Sequence, residues 1–314
     1  MADEPYDEFG YFAENAAEFG LPYTGPPTVR RVFVDVAADR RISALVWGDQ
    51  PPQLVLFHGG AQNAHTWDTV ALALDRPLVA VDLPGHGHSD GPQPGAHVRR
   101  AESLAADVAV VVDALAPKAV AVVGMSLGGL TSIALAASRP DLVRRLVLVD
   151  ITPGVDRQKA KAITDFVRGP ATFPSFDEIL ARTIEHNPTR KASLRRGILH
   201  NAEQLADGSW RWRYRRHDDD DNPLLRGDDL ASDAEIDATG RLWDALGAID
   251  VPVMLARGML PQSVVDDADE AELLRRLPAA RVERFAEAGH SIQGDMPVEL
   301  AAAIAGFVDE HVDE

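Results

Sequence analysis

One serine, one histidine and a choice of carboxylates carry the chemistry this chain is equipped for. Ser126 lies in Gly124-Met125-Ser126-Leu127-Gly128, a Gly-x-Ser-x-Gly spacing, after the β-branched run Val120–Val123 and before a Leu/Ala-rich segment. Strand, sharp turn and helix in that order lift a hydroxyl above the edge of a sheet, and the small residues at Gly124 and Gly128 permit the turn. A hydroxyl is a weak nucleophile until a base takes its proton. His290, in Ala288-Gly289-His290-Ser291 beyond the last predicted strand, is placed to be that base. The amide of Leu127, at a helix start, can face the charge that develops on an attacked carbonyl. A second such donor is expected from Phe57-His58-Gly59-Gly60-Ala61, with the amide of Gly60 first and that of Ala61 second. His58 reads as a residue that fixes this loop by hydrogen bonds.

A third group must orient the imidazole and stabilise its charged form. Asp150 directly follows the apolar run Leu146–Val149, where a carboxylate needs a partner because a lone buried charge is costly. The other candidates, Asp266 and Asp267, lie beyond Arg257–Ser263 and could instead favour a helix N-terminus. Asp150 is the first choice, with Asp266 or Asp267 as the alternative.

The elements that must hold these residues follow from the pattern. Arg31–Val36 and Ile42–Trp47 alternate around Ala38-Asp39-Arg40 and predict a hairpin. Leu54–Phe57, Leu78–Val81, Val120–Val123, Leu146–Val149 and Val251–Leu255 are continuous apolar runs, as expected of strands buried on both faces. Helical segments lie between or after them at His65–Leu74, Ala101–Leu115, Leu127–Ser138, Ala268–Leu277 and Pro297–Val308. Strand alternating with helix predicts an α/β fold with a mostly parallel sheet. The expected organisation is an N-terminal arm over 1–28, docked by Tyr11, Phe12 and Phe19, then a core over 29–150 and 249–314. A mainly helical insertion over 151–248 follows the sixth strand.

Composition narrows the function. The 314 residues hold no cysteine, which excludes a thiol nucleophile, a disulfide scaffold and cysteine-ligated metals. Lys plus Arg number 31 against 49 Asp plus Glu, a net charge of −18 that argues against a nucleic-acid partner. The first residues, Met1-Ala2-Asp3-Glu4-Pro5, lack the basic start and apolar core of a secretory signal, so a cytoplasmic location is expected. Ala119–Ser138 is uncharged, but its glycines and its change of composition suit a strand, turn and helix better than a membrane span.

Taken together, His58-Gly59-Gly60, Asp82-Leu83-Pro84-Gly85-His86-Gly87-His88-Ser89, the Ser126 turn and Gly289-His290 resemble, in this order, the α/β-hydrolase family. The resemblance covers about 30–150 and 250–310 and makes 151–248 the counterpart of the family's cap. It implies a serine hydrolase that cleaves a carboxylic ester, lactone or thioester through an acyl-enzyme on Ser126, without a cofactor or metal. The same residues serve carbon–carbon bond hydrolases and cofactor-free perhydrolases, and the fold also occurs in receptor-like binding proteins with little turnover. A serine at the turn argues against haloalkane dehalogenases and epoxide hydrolases, which carry aspartate there. The absence of a Gly-Gly-Pro-Gly run argues against proline iminopeptidases. His86 and His88 read as structural, although their spacing also suits a metal. The partner expected is a small molecule with an apolar acyl or ring part, with no nucleic acid and no membrane span; the oligomeric state is open.

In the insertion, Trp210, Trp212 and Tyr214 alternate with Arg211, Arg213 and Arg215, next to the acidic run Asp218–Asp221. This predicts a cap strand with one aromatic face, packed on cap helices or lining a pocket. Arg195-Arg196 reads as a solvated helix face.

Overall fold

A run such as Leu54–Phe57 or Leu146–Val149 points apolar side chains to both faces of a sheet and must be covered on both. The computed structural model describes residues 6–91, 101–155, 158–186, 191–214 and 233–310 and meets that requirement. Helix α1 (Phe12–Glu18) precedes the hairpin β1 (Val29–Ala37) and β2 (Arg40–Trp47). Then come β3 (Leu54–Phe57), a 3-10 turn at Ala64–Trp67, α2 (Asp68–Leu74), β4 (Leu78–Val81) and α3 (Ala101–Leu115). The centre is built from β5 (Ala121–Met125), α4 (Leu127–Ser138) and β6 (Leu146–Val149). The insertion supplies α5 (Lys161–Val167), β7 (Thr172–Phe173), α6 (Phe176–His186), α7 (Lys191–Asn201), β8 (Ala202–Gln204), β9 (Trp210–Trp212) and α8 (Asp233–Gly247). The chain closes with β10 (Val253–Gly258), α9 (Asp267–Arg276), β11 (Arg281–Phe285), α10 (Ile292–Asp295) and α11 (Pro297–Asp309).

The main sheet runs β1-β2-β4-β3-β5-β6-β10-β11. The hairpin and the β2–β4 pair are antiparallel, and every later pair is parallel. Alternation along each strand feeds two cores. Val55, Phe57, Val122 and Leu148 pack with α3, α4 and α8 on one face. Leu54, Leu56, Val123 and Val147 pack with α2 and α11 on the other.

The N-terminal arm belongs to this second core. Phe12 is buried, with its ring 5.1 Å from that of Trp47. Burying a side chain of this size stabilises by about 2–3 kcal/mol, enough to hold one short helix against the body.

The insertion is less purely helical than expected, because β7, β9 and β8 form a small antiparallel sheet under α5–α7. Phe173, Ile179, Ile198, Trp212 and Tyr214 make its own core. Helix α8, placed with the insertion by the sequence reading, packs on α4, and its Trp243 and Leu246 join the main core. Arg215 and the Asp218–Asp221 run lie outside the described residues. Among the described residues, no helix is long and apolar enough to cross a membrane.

Candidate active site

Strands β5, β6 and β10 are parallel neighbours in matched register. Met125 pairs with Val149, and Val149 pairs with Ala256. Ser126 and Asp150 are therefore the next residues on adjacent strands, which lie about 4.8 Å apart. Ser126 N still donates to Val149 O at 3.3 Å, and Asp150 N to Ala256 O at 2.7 Å. Both residues then leave the sheet at positive φ, +50° for Ser126 and +45° for Asp150. A non-glycine residue held in such a region costs on the order of 1–3 kcal/mol, so the surrounding packing must enforce it. At Gly128 a Cβ would overlap the backbone of Phe57 and His58, which is why a glycine follows the serine at this spacing.

The Asp150 side chain is fully buried and receives four donors. These are Gly258 N at 2.9 Å, Ser263 Oγ at 2.6 Å, Val264 N at 3.0 Å and His290 Nδ1 at 2.9 Å. Convergent donors, two of them backbone amides, are what a buried carboxylate requires. With Nδ1 directed at Asp150, His290 keeps Nε2 to act as a base. The structure brings His290 to Asp150 and leaves the alternatives elsewhere. Asp266 caps α9, its side chain accepting from the amides of Ala268 and Asp269, and the exposed Asp267 pairs with Arg257.

The loop after β3 packs on the serine turn. A Cβ on Gly59 would overlap the Met125 sulfur and lie 3.3 Å from Ser126 Cβ. The Gly59 amide is occupied by Gln62 Oε1 at 3.0 Å, so Gly60 and Ala61 are the loop's candidate donors. Ala61 sits at φ +61°. His58 fixes this loop as expected: its Nε2 accepts from Leu83 N at 2.9 Å and its Nδ1 donates to Gly59 O at 2.7 Å. Burial lowers the His58 pKa, which favours the neutral imidazole these two bonds require.

Asp82 organises the neighbouring turn. Its carboxylate accepts from Ala64 N at 2.7 Å, His88 N at 3.1 Å and Arg31 Nη1 at 2.6 Å. Burial alone would raise its pKa, but Arg31, His58 and these amides hold it below the usual range. His86 Nδ1 donates to Pro84 O at 3.1 Å. Both His86 and His88 thus belong to a folded turn.

A cavity of about 270 Å³ lies beneath the insertion. Ser126, Asp150 and His290 are not on its wall, but Ala61, Gln62 and Ser291 are, so it adjoins the site. Trp212 and Tyr214 give it an apolar side. Both are buried while Arg211 is exposed, as the alternation predicts. Asn201 of α7 donates to the Ala61 carbonyl at 2.6 Å, a tie between cap and loop that no sequence signal announced.

One expectation is overturned. Arg196 is not solvated: it is buried, donates to Asn15 Oδ1 at 2.7 Å and pairs with Glu18 of the arm. Helical periodicity hid this because the partner is an N-terminal segment remote in sequence.

Comparisons with known proteins identify the family. A family model for the alpha/beta hydrolase fold matches residues 52–297. Esterase Rv0045c of Mycobacterium tuberculosis is 42% identical over 312 residues, covering 96% of each chain. A pimeloyl-[acyl-carrier protein] methyl ester esterase of Nitrosomonas europaea is 31% identical, over 76% of this chain and 89% of its own. A solved structure of the Mycobacterium tuberculosis esterase, from work on its transition metal inhibition and structural refinement, superposes with a TM-score of 0.81. It covers 98% of this chain and 100% of its own at 41% identity. By the family-model match and by similarity over nearly the whole length, the chain belongs to the α/β-hydrolase fold family.

Proposed function

We propose that this protein is a serine esterase that hydrolyses a small carboxylic ester through an acyl-enzyme. The observation that carries the proposal is the Asp150–His290 hydrogen bond at the same sheet edge as the Ser126 turn. Its esterase relatives support the same reading.

In this mechanism His290 Nε2 takes the proton of Ser126 Oγ as the oxygen attacks the ester carbonyl. Asp150 holds the imidazole in the tautomer with hydrogen on Nδ1 and stabilises the imidazolium that forms. The amides of Leu127 and Gly60 receive the oxyanion, with Ala61 the alternative for the second. Such a donor contributes about 10²–10³-fold in rate. His290 then passes its proton to the departing alcohol. Water, activated by the same imidazole, attacks the acyl carbonyl and releases the acid and Ser126. The apolar wall at Trp212 and Tyr214 suits the acyl or ring part of the substrate.

The test is hydrolysis of p-nitrophenyl esters of graded acyl length by the wild type and Ser126→Ala. Turnover that disappears in the variant is expected, with a short-to-medium acyl chain preferred by a cavity of about 270 Å³. A folded wild type without turnover on any ester would overturn the assignment in favour of carbon–carbon cleavage or ligand binding.

A further inference from the structure

Helix α7 runs along the cavity. Ser193, Leu194, Gly197, Ile198 and Asn201 recur at steps of three and four on one helical face, and all of them line it. The C-terminal end of α7 is anchored at the loop after β3, where Asn201 Nδ2 donates to Ala61 O at 2.6 Å. Ser193 precedes Asn201 by eight residues, which is about 12 Å of helix. α7 is therefore a ruler laid from the candidate active site towards the opposite end of the cavity.

The N-terminal arm lies along the same helix in the reverse direction. The Tyr6 hydroxyl bonds to His200 Nδ1 at 2.7 Å, Asn15 Oδ1 accepts from Arg196 Nε at 2.7 Å, and Glu18 Oε1 accepts from Ser193 Oγ at 2.5 Å. As the arm advances from Tyr6 to Glu18, its partners retreat from His200 to Ser193. The last tie is thus the one farthest from Asn201, and Phe19 comes directly after it. Phe12 is sealed into the main core, but Phe19 is only half-buried and lines the cavity, as Asn15 does.

The backbone fixes Phe19 in this place. It is the C-cap residue of α1, and Gly20 follows at φ +64°. Gly20 N donates to Ala17 O at 3.4 Å, and Leu21 N to Ala16 O at 2.9 Å. Two such bonds around a left-handed glycine make a Schellman turn, which ends a helix in one defined geometry. The Phe19 ring therefore stands on a fixed helix end, clamped to the ruler through Glu18.

We propose that Phe19 is a specificity-determining residue whose ring closes the end of the cavity away from the catalytic loop and limits the length of acyl chain the enzyme accepts. The proposal rests on the serine-esterase reading above, with the acyl part of the substrate in the cavity. A straight apolar chain gains from each methylene it takes out of water until it meets this ring, and gains nothing beyond it. The arm is then part of the substrate site as well as a docked segment.

The test compares the wild type with Phe19→Ala, Phe19→Trp and the control Tyr23→Ala, each as the full chain and shown to be folded by circular dichroism. Tyr23 is exposed in the same arm and off the cavity wall. kcat/KM is measured on p-nitrophenyl esters from acetate to laurate, with Ser126→Ala beside them. Phe19→Ala should move the fall in kcat/KM to longer chains, by about fourfold for each methylene newly accommodated, and Phe19→Trp should move it to shorter ones. Tyr23→Ala should keep the wild-type profile. Superimposable profiles for the wild type and both Phe19 variants overturn the proposal, and so does an equal loss on every ester. In either case, turnover that depends on Ser126 leaves the esterase reading standing. A folded wild type without turnover on any ester overturns both. Where Phe19→Ala does not fold, Phe19→Leu takes its place, with a smaller shift in the same direction expected and no shift overturning the proposal.

Discussion

Asn201 on α7 donates to the carbonyl of Ala61 at 2.6 Å, across 140 residues of sequence. Its Oδ1 also accepts from Asn63 at 3.2 Å, so one cap side chain steadies both flanks of Gln62. Because Ala61 is at positive φ, the loop depends on such ties for its conformation. Asn201→Ala should lower kcat/KM on p-nitrophenyl esters about tenfold, the equivalent of about 1.4 kcal/mol. Steady-state kinetics separate the cases: a fall in kcat supports loop positioning, whereas a rise in KM alone would make Asn201 a substrate contact only.

Asp150→Asn should remove most of the activity without changing where His290 sits. An amide can present hydrogen to Nδ1 and so favours the wrong imidazole tautomer; the analogous change in a serine protease costs about 10⁴-fold. Single-substrate kinetics on folded variant check this. A loss below about tenfold would mean that another group orients His290.

Ser126→Gly should abolish turnover and raise thermal stability. The serine is held at φ +50°, ψ −117°, which glycine adopts without strain. Relief of about 1 kcal/mol is expected for glycine and none for Ser126→Ala. Paired thermal melts of the two variants read the difference directly. Equal melting temperatures would show that the turn is unstrained.

Asp266 provides a pH signature at the end of α9. Its hydrogen bond to Lys159, with the amides of Asp269 and Ala268, lowers its pKa from 3.8 to about 2. A depressed folded-state pKa gives stability that is present above about 4 and lost as pH falls through about 2. Asparagine caps a helix almost as well as aspartate, so Asp266→Asn removes mainly the charge. The wild type should melt above this variant at pH 6 and converge with it near pH 2. A gap that persists at pH 2 would assign the effect to cap geometry.

Arg196→Met should loosen the arm. The substitution keeps an apolar stem but takes the guanidinium from Asn15 and leaves Glu18 to Ser193, and breaking a mostly buried pair costs about 3 kcal/mol. Limited proteolysis should then cut within residues 6–28 faster than in the wild type. An unchanged cleavage rate would leave Phe12 as the anchor.

What could be read from sequence was whatever local spacing dictates. Ser126 was legible because strand, glycine and helix flank it within a few residues, and His290 because it follows the last strand. Asp150 was harder to fix, since its four donors come from Gly258, Ser263, Val264 and His290, all beyond the insertion. The role of Asp266 at a helix start was legible as an option because capping is local. Arg196, Asn201 and the place of Phe19 on the cavity wall were invisible or misread, because each is defined by a tertiary partner from another segment. The small sheet of the insertion escaped for a related reason: strands of two or three residues carry too little periodicity to register.

The sheet order also dictates a timetable. β6 and β10 lie side by side, yet the whole insertion is made between them. On the ribosome, Ser126 and Asp150 emerge long before β10, and Asp150 waits for every one of its side-chain partners. A nascent chain therefore carries the proposed nucleophile without its proposed base, and Asp150 without its donors. Chemical competence arrives in one late step, when β10, β11 and the segment bearing His290 close the edge of the sheet.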